Sequence, residues 1–405
     1  MQHHIGIIGA GIGGLAAAAG LAQAGHDVHL IERFDQPRPL GSGLVVQPVG
    51  LAVLDGLGVG NAARALGAEI THMLGHSGRR IALDVCYRPA APGLAMHRAA
   101  LFHVLWQAVQ QANVPVITGI DVTHTAQHGA KRLICGGRGE QLGPFDLVID
   151  ASGAGSRLSP LRARALPFGA VWGQVAWPAD TTLPANRLSQ RYDAGRRMAG
   201  VLPMGRLPGD PTPRAAVFWS LPRSALDHWP GQDMNQWRAE VAALWPEMAP
   251  FLTTLTHAAH LTPARYSHGS LRKPYAPGLV FIGDAAHRAS PQLGQGANMA
   301  LLDAQALFHA LTAPLDDALP AYAAMRRWHM RSYQAMSAVF TPMYQSDLTL
   351  PPMLRDHLLA PISRIWPLPR LLSSLVTGDL LPPLAGQHWP VNSGRSTLAL
   401  GRPTG

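Results

Sequence analysis

The chain has 405 residues, 47% hydrophobic and only 14% charged, with a formal net charge of +9. That length supplies a sizeable core and one large or two modest domains, and no apolar run reaches the roughly 20 residues that a bilayer span needs. The arginines are scattered or paired instead of forming a basic tract interleaved with aromatics, so the charge suits an anionic small molecule or a solvated face better than nucleic acid.

Ile5 to Ile8 reads as a strand that runs into Gly9-Ala-Gly11-Ile-Gly13-Gly14. Glycines there allow a tight turn and let the backbone approach a pyrophosphate. An Ala-rich helix from about Gly13 to Ala24 follows, with Gly25 as its stop, and its first amides face any phosphate bound there. A strand from Asp27 to Ile31 then delivers Glu32, 21 residues after Gly11, close to the spacing at which an acid accepts from adenosine ribose hydroxyls. The strand begins almost at Met1, which leaves no room for a secretory signal, and Cys86 and Cys135 lack C-x-x-C spacing. Both observations favour a reducing cytoplasm.

Further along, Gly41 to Pro48 reads as a loop before a helix through Leu57, and the runs around Gly75 to Gly78 read as a hairpin. A helix from Arg98 to Ala112, a strand from Val114 to Thr118 and a hairpin precede the apolar Phe145 to Asp150, a returning parallel strand. From Phe168 to Leu221 the pattern turns to β-like runs, with Asp193-Ala194-Gly195 as a three-residue hairpin whose glycine takes the left-handed position. A buried strand, Gly278 to Gly283, leads into Asp284-Ala285-Ala286-His287 and then Pro291, Gly294, Gly296, Ala297 and Asn298 at the start of a helix to Leu311. A helix from Leu319 to Val339 and short Pro- and Leu-rich helices follow.

The fold class is therefore α/β: a Rossmann-like nucleotide domain carrying an inserted antiparallel sheet and a C-terminal helical segment. The boundaries read as 1–167 with 265–318 for the nucleotide domain, 168–264 for the sheet, 319–390 for the helices and 391–405 for a mobile tail, with a hairpin near 70–95 joining the sheet layer. A fingerprint answered some 270 residues later by a second strand-carboxylate-helix turn calls for a long ligand with a central polyol, namely FAD. Glu32 then meets the ribose and Asp284 the ribityl hydroxyls, while the amides of Ala297 and Asn298 face the flavin pyrimidine edge, where their partial charge favours a reduced-flavin anion. No cysteine or histidine is placed for attachment, so the FAD is noncovalent. Nineteen histidines invite a metal, yet pairs such as His3-His4 and His257 with His260 lack nearby carboxylate or cysteine ligands at a recognisable spacing, so none is expected.

Three motifs in order make this arrangement resemble the single-component FAD-dependent aromatic hydroxylases typified by p-hydroxybenzoate hydroxylase. They are the fingerprint with Glu32-Arg33, the run Asp146 to Arg157, and Gly283-Asp284 with its Pro291 and Gly294 continuation. His97-Arg98 resembles the segment in which that family places an arginine near the cofactor phosphates. The resemblance implies reduction of FAD by NADPH or NADH, addition of O2 to give a flavin hydroperoxide, and hydroxylation of a small aromatic or fused-ring substrate. The middle motif departs from the family pattern, reading Ala151-Ser152-Gly153 where an aspartate is usual, with Asp150 two residues earlier. Serine keeps a hydrogen bond but not the charge, which puts nicotinamide binding in question. His287 is the candidate for proton transfer, because an unperturbed imidazole titrates near neutrality, with packing or flavin positioning as the alternative because it sits within the cofactor motif itself. Gln47, Trp172, Gln174, Met204 and Phe218 are the candidates for the substrate pocket. Halogenase or reductase chemistry, or a flavin-bearing binding protein without redox activity, are the alternatives; the halogenase Trp-x-Trp-x-Ile-Pro run is absent.

Overall fold

The N-terminal unit forms as its spacing demands, with β1 (His4–Ile8), α1 (Ile12–Gln23) and β2 (Asp27–Ile31). The computed structural model describes residues 2–36 and 43–387, so Gly41, Ser42 and the tail 391–405 lie outside the described residues. Gly25, at φ +88, stops the first helix as expected. Ala16 to Ala19 are at most 1% exposed, because small side chains let α1 press against its neighbours.

Helix α2 (Arg98–Gln111) leads through a meander to β3 (Leu147–Asp150). The chain returns to the same sheet at β4 (Leu279–Phe281), and then forms α3 (Gly296–Ala310) and α4 (Leu315–Tyr344). The six-stranded sheet runs Tyr275–Ala276, β4, β3, β1, β2, Val116–Ile117, parallel except for Tyr275–Ala276. This order brings the ends of β1, β2, β3 and β4, and hence Gly9, Glu32, Asp150 and Gly283-Asp284, to one edge. Helices α1 and α3 cross so closely that a Cβ on Gly13 would sit 3.3 Å from the Ala300 methyl.

The second layer is an eight-stranded sheet ordered His287–Arg288, Leu261–Ser270, Arg164–Ala176, Asp210–Pro222, Arg197–Leu207, Arg187–Asp193, His72–Ser77, Arg80–Cys86. It is mixed, because Arg187–Asp193 and His72–Ser77 pair in parallel. Alternation sorts its faces. Val171, Val217 and Trp219 pack outward on Trp229, Trp237 and Phe251, while Phe218, Leu202 and Met204 pack inward on Val45, Tyr87 and Met198, with Trp172 against them.

Local departures from the sequence reading have physical causes. Ala194, not Gly195, takes the positive φ of +46 in its hairpin. Gly195 is instead a close approach, where a Cβ would lie 2.9 Å from both Pro352 Cγ and Ser346 O. The predicted single hairpin before β3 is a three-stranded meander, Val122–His128, Lys131–Gly136 and Gln141–Phe145, so Phe145 belongs to the meander and the parallel strand starts at Leu147. Helix α4 outruns its predicted 319–339 span because a buried stripe, Leu319, Tyr322, Arg326, Met330, Tyr333, Ser337 and Thr341, continues at helical spacing to its end. Among the described residues no helix is long and apolar enough to cross a membrane.

Candidate active site

The fingerprint loop has the shape a pyrophosphate requires. Gly9 sits at φ +100, where a Cβ would lie 2.8 Å from Ala151 O and Ser152 Cα, and a Cβ on Gly14 would fall 1.9 Å from Gly9 O. A Cβ on Gly11 would meet nothing within 4 Å, so the mouth of the loop is open. Gly11 is also the N-cap of α1, and no side chain caps that turn. Its first amides point at whatever enters. Glu32 is 7% exposed, and its carboxylate accepts from Ala10 N at 2.7 Å and Phe34 N at 3.0 Å. The acid therefore fixes the turn and stands at the end of β2. Arg33 lies beside it with its guanidinium 4.6 Å from the centre of the Phe34 ring. These residues fit the adenosine and pyrophosphate end of FAD.

The unusual middle motif is explained by Asp150, which is fully buried. Its Oδ1 accepts from Ser152 N at 3.0 Å and from the Ser152 hydroxyl, and its Oδ2 accepts from the Ser156 hydroxyl. Ser152 is thus a donor to a carboxylate already present on β3. An aspartate at 152 would face that carboxylate as a like charge.

Gly283, at φ +57, opens a 3₁₀ turn, Gly283–Ala285, that leaves Asp284 exposed at the sheet edge. The Asp284 charge acts on Arg98, the exposed first residue of α2, so an acid and a cation lie near each other here. The turn is held from behind by a buried network that sequence reasoning missed. Asp303 on α3, fully buried, accepts from Gly283 N at 2.9 Å, from His287 Nε2 at 2.6 Å and from Arg326 Nε at 2.8 Å. Arg326, 1% exposed, also donates to Pro383 O at 2.7 Å, and its Nη1 lies 3.2 Å from His329 Nδ1. Asp303 and Arg326 fall on helix faces that read as ordinary core, and the signal available was only a charge on each buried stripe.

His287 is one member of that buried network. It is 5% exposed, with Nε2 on Asp303. Burial raises the Asp303 carboxyl, but the charges of His287 and Arg326 and the hydrogen bonds from both outweigh it, holding Asp303 down to about 2. Burial, with the Arg326 charge, pushes His329 down to about 3. Unfolded histidine titrates near about 6.5, so between there and about 3 the unfolded chain binds a proton that the folded chain refuses. Stability contributed by neutral His329 is complete above that window and is lost as pH falls through it. Melting temperature is expected to drop steadily from pH 7 to pH 4, and to drop less steeply in His329→Gln; equal slopes in the two proteins would remove His329 as the cause.

Beyond Asp284 along the chain, Pro291–Leu293 forms a 3₁₀ turn and Gly294 follows at φ +62. No side chain caps α3, and Met299 N is the first amide to bond back, to Gln295 O at 2.8 Å. The amides of Gly296, Ala297 and Asn298 precede it, as an anion or a carbonyl edge requires. The Asn298 side chain is spent elsewhere: it accepts from Gln47 N at 2.8 Å and donates to Val45 O at 3.1 Å and Gly294 O at 3.0 Å. It clamps the strand Gly43–Val46 to the start of α3. Gln47, 1% exposed, accepts from the Tyr87 hydroxyl at 2.9 Å, which leaves its amide NH2 near Gly294.

Trp172, Gln174, Met204 and Phe218 come together on the inner side of the eight-stranded sheet. The Trp172 and Phe218 rings are 4.6 Å apart, and Trp172 Nε1 donates to the Tyr266 hydroxyl at 2.8 Å. Met204 is fully buried against Gly43, so it shapes the wall from behind. A cavity of about 480 Å³ adjoins Trp172 and Gln174 and is lined also by His97, Arg214, His260 and Thr262. His97 was legible only as part of the Arg98 motif. Its Nδ1 accepts from Ala99 N at 3.0 Å, capping α2, and its Nε2 is buried without a hydrogen-bond partner. Burial and the Arg214 charge lower its pKa, against a smaller upward pull from Gln174. Neutral imidazole with Nδ1 accepting must carry its proton on Nε2, so His97 is a hydrogen-bond donor there.

A fingerprint, a second carboxylate turn brought beside it at one edge of the six-stranded sheet, and a second sheet with Trp172 and Phe218 on its inner face define an FAD-dependent aromatic hydroxylase, a flavoprotein monooxygenase. The chain belongs to the FAD binding domain family, whose model matches residues 2–138 and 211–334. It is 28% identical over 337 residues to a putative 2-heptyl-3-hydroxy-4(1H)-quinolone synthase of Rhodococcus erythropolis, covering 77% of this chain and 80% of that one. It is 27% identical over 343 residues to the aurachin C monooxygenase/isomerase of Stigmatella aurantiaca, covering 79% and 84%. Among solved structures, Pseudomonas aeruginosa PqsL in complex with 2-aminobenzoylacetate superposes with a TM-score of 0.76 at 20% identity, over 88% of this chain and 99% of that one. A Klebsiella pneumoniae HpxO variant complexed with FAD gives 0.74 at 20% identity, over 94% and 100%.

Proposed function

We propose that this flavoprotein uses NADPH or NADH and O2 to hydroxylate a fused-ring, nitrogen-bearing aromatic of the 4-quinolone kind. The observation that carries this reading is Trp172, backed by the Phe218 ring, at a cavity whose polar lining includes the donors His97, Gln174, Arg214 and His260. A flat ring with one carbonyl or phenolate oxygen fits such a lining. The quinolone synthase and aurachin relatives, and the 2-aminobenzoylacetate in complex with PqsL, support the same chemistry. Bound FAD supplies electron transfer and oxygen activation. In this reading Gly9, Gly11, Gly14, Glu32, Arg33 and Arg98 hold the adenosine and phosphates, Asp284 meets the ribityl chain, and the turn Pro291–Gly294 with the amides of Gly296, Ala297 and Asn298 receives the ring system. His287 belongs to positioning, through Asp303, and Gln47 donates from its free amide nitrogen. In the same reading the eight-stranded sheet with its helices is the substrate domain, and the need for NAD(P)H favours a cytoplasmic enzyme.

The test is substrate-stimulated NAD(P)H oxidation and product mass with a panel of phenols, 4-quinolones and polyketide-like aromatics. A product heavier by one oxygen from a quinolone supports the reading; turnover confined to simple phenols, or none across the panel, overturns it. His97→Asn keeps a good helix cap but removes the buried ring donor. KM for the responsive aromatic is expected to rise about tenfold, the effect of roughly one hydrogen bond, with FAD affinity unchanged. An unchanged KM would take His97 out of the substrate site.

A further inference from the structure

We propose that His4, Asp27 and His29 form a site for one divalent transition-metal ion, at the end of the six-stranded sheet opposite the fingerprint. In the sequence His4 stands 23 residues from its carboxylate partner, so no ligand spacing betrays the set. Parallel pairing of β1 with β2 places His4 directly beside Asp27, and His29 follows two residues along the same face. The ligand atoms lie within 4.8 Å of one another.

Four observations separate this cluster from ordinary surface pairs. His4 Nε2 is 3.7 Å from Asp27 Oδ2, and His29 Nδ1 is 3.7 Å from Asp27 Oδ1. These separations are too long for hydrogen bonds. They are close to the edge of a coordination polyhedron, about 3.3–3.5 Å for metal bonds of about 2.0–2.1 Å. The other ring nitrogen of His4, Nδ1, lies 3.2 Å from Pro144 O. Donation to a carbonyl leaves Nε2 unprotonated and aimed at Asp27, the outer contact that metal-ligating histidines ordinarily make. His29 Nδ1 is itself occluded from solvent and has no hydrogen-bond partner. Phe145 packs 4.5 Å from the His4 ring and 6.0 Å from the His29 ring, and so limits their rotation.

The donor set selects the ion class. Two imidazoles and one carboxylate suit zinc and its neighbours and disfavour calcium or magnesium. Asp27 is about half exposed, which leaves room for water to complete the shell. A second trio, His72, Asp84 and Cys86, differs in kind, because His72 Nε2 already bonds Asp84 directly at 2.9 Å. An ion at His4, Asp27 and His29 ties together the two strands whose far ends carry the fingerprint glycines and Glu32. The role that follows is to stiffen the adenosine half of the cofactor site.

The experiment uses the untagged, FAD-loaded enzyme stripped with a chelator and titrated with Zn2+, with bound metal measured by calorimetry and elemental analysis. One zinc per chain at micromolar affinity and a melting temperature raised by about 3 °C or more at saturation are expected. His4→Asn and His29→Asn should each weaken that binding at least tenfold and abolish the thermal shift, whereas Cys86→Ser should change neither. Co2+ in place of zinc should show the intense visible bands of a four-coordinate site in wild type and Cys86→Ser and in neither histidine variant. Loss of binding in Cys86→Ser alone, equal affinity in all variants, or no stoichiometric zinc at micromolar concentration would each overturn the proposal.

Discussion

Arg326→Ala is expected to be the most damaging single substitution outside the glycine loop. Arg326 is almost wholly buried and is the partner that shares Asp303 with His287 and with the Gly283 amide. Removing it leaves a carboxylate in the interior with part of its compensating charge gone, at a cost of about 3–5 kcal/mol. That is a large share of the roughly 5–15 kcal/mol that holds a domain together. The damage should also reach the cofactor site, because Asp303 sets the turn that presents Asp284. Thermal unfolding of the apoprotein and flavin titration are the two measurements. A fall of many degrees together with weakened flavin binding is expected, and Arg326→Lys should recover only part of it, since lysine cannot reach Asp303, Pro383 and the His329 ring from one planar fork. A wild-type melting temperature in Arg326→Ala would show that the network carries little stability.

Asp284→Ala separates binding from folding. Its side chain is exposed at the edge of the sheet, and its backbone carbonyl accepts from Arg288 Nε at 3.0 Å. The apoprotein should therefore melt like wild type. A charge-assisted hydrogen bond to a polyol is worth about 1.5–3 kcal/mol, so FAD should bind roughly 10- to 150-fold more weakly. Arg98 loses its opposing acid at the same time. An unchanged flavin dissociation constant would remove Asp284 from the site.

Much of the cofactor half was readable in the chain. Gly9 and Gly14 are glycines because backbone lies where a Cβ would go, and Gly11 because the space beside it must stay open. Steric rules of this kind act over a few residues and leave a mark in the sequence. The inner face of the sheet was readable only in part. Trp172 and Phe218 stood out as aromatics, and strand alternation could not say which side they faced until pairing with Thr262 and Gly200 placed them. The partner of His287 was not readable, because a histidine two residues past a turn carries no sign of the aspartate 16 positions later that claims it.

What the sequence determined by itself was local: the strand-glycine-helix-acid unit, the second carboxylate turn, and from their order an FAD-dependent hydroxylase. What only the tertiary structure decided was the company each polar group keeps. Ser152 serves a buried Asp150, Asp303 gathers an amide, a histidine and an arginine from separate elements, and His97 turns an unpartnered nitrogen toward a cavity. The physical reason is one of range. Backbone conformation and steric clearance are set by neighbours along the chain, whereas burial, charge pairing and proton placement depend on groups that meet only when distant strands and helices pack.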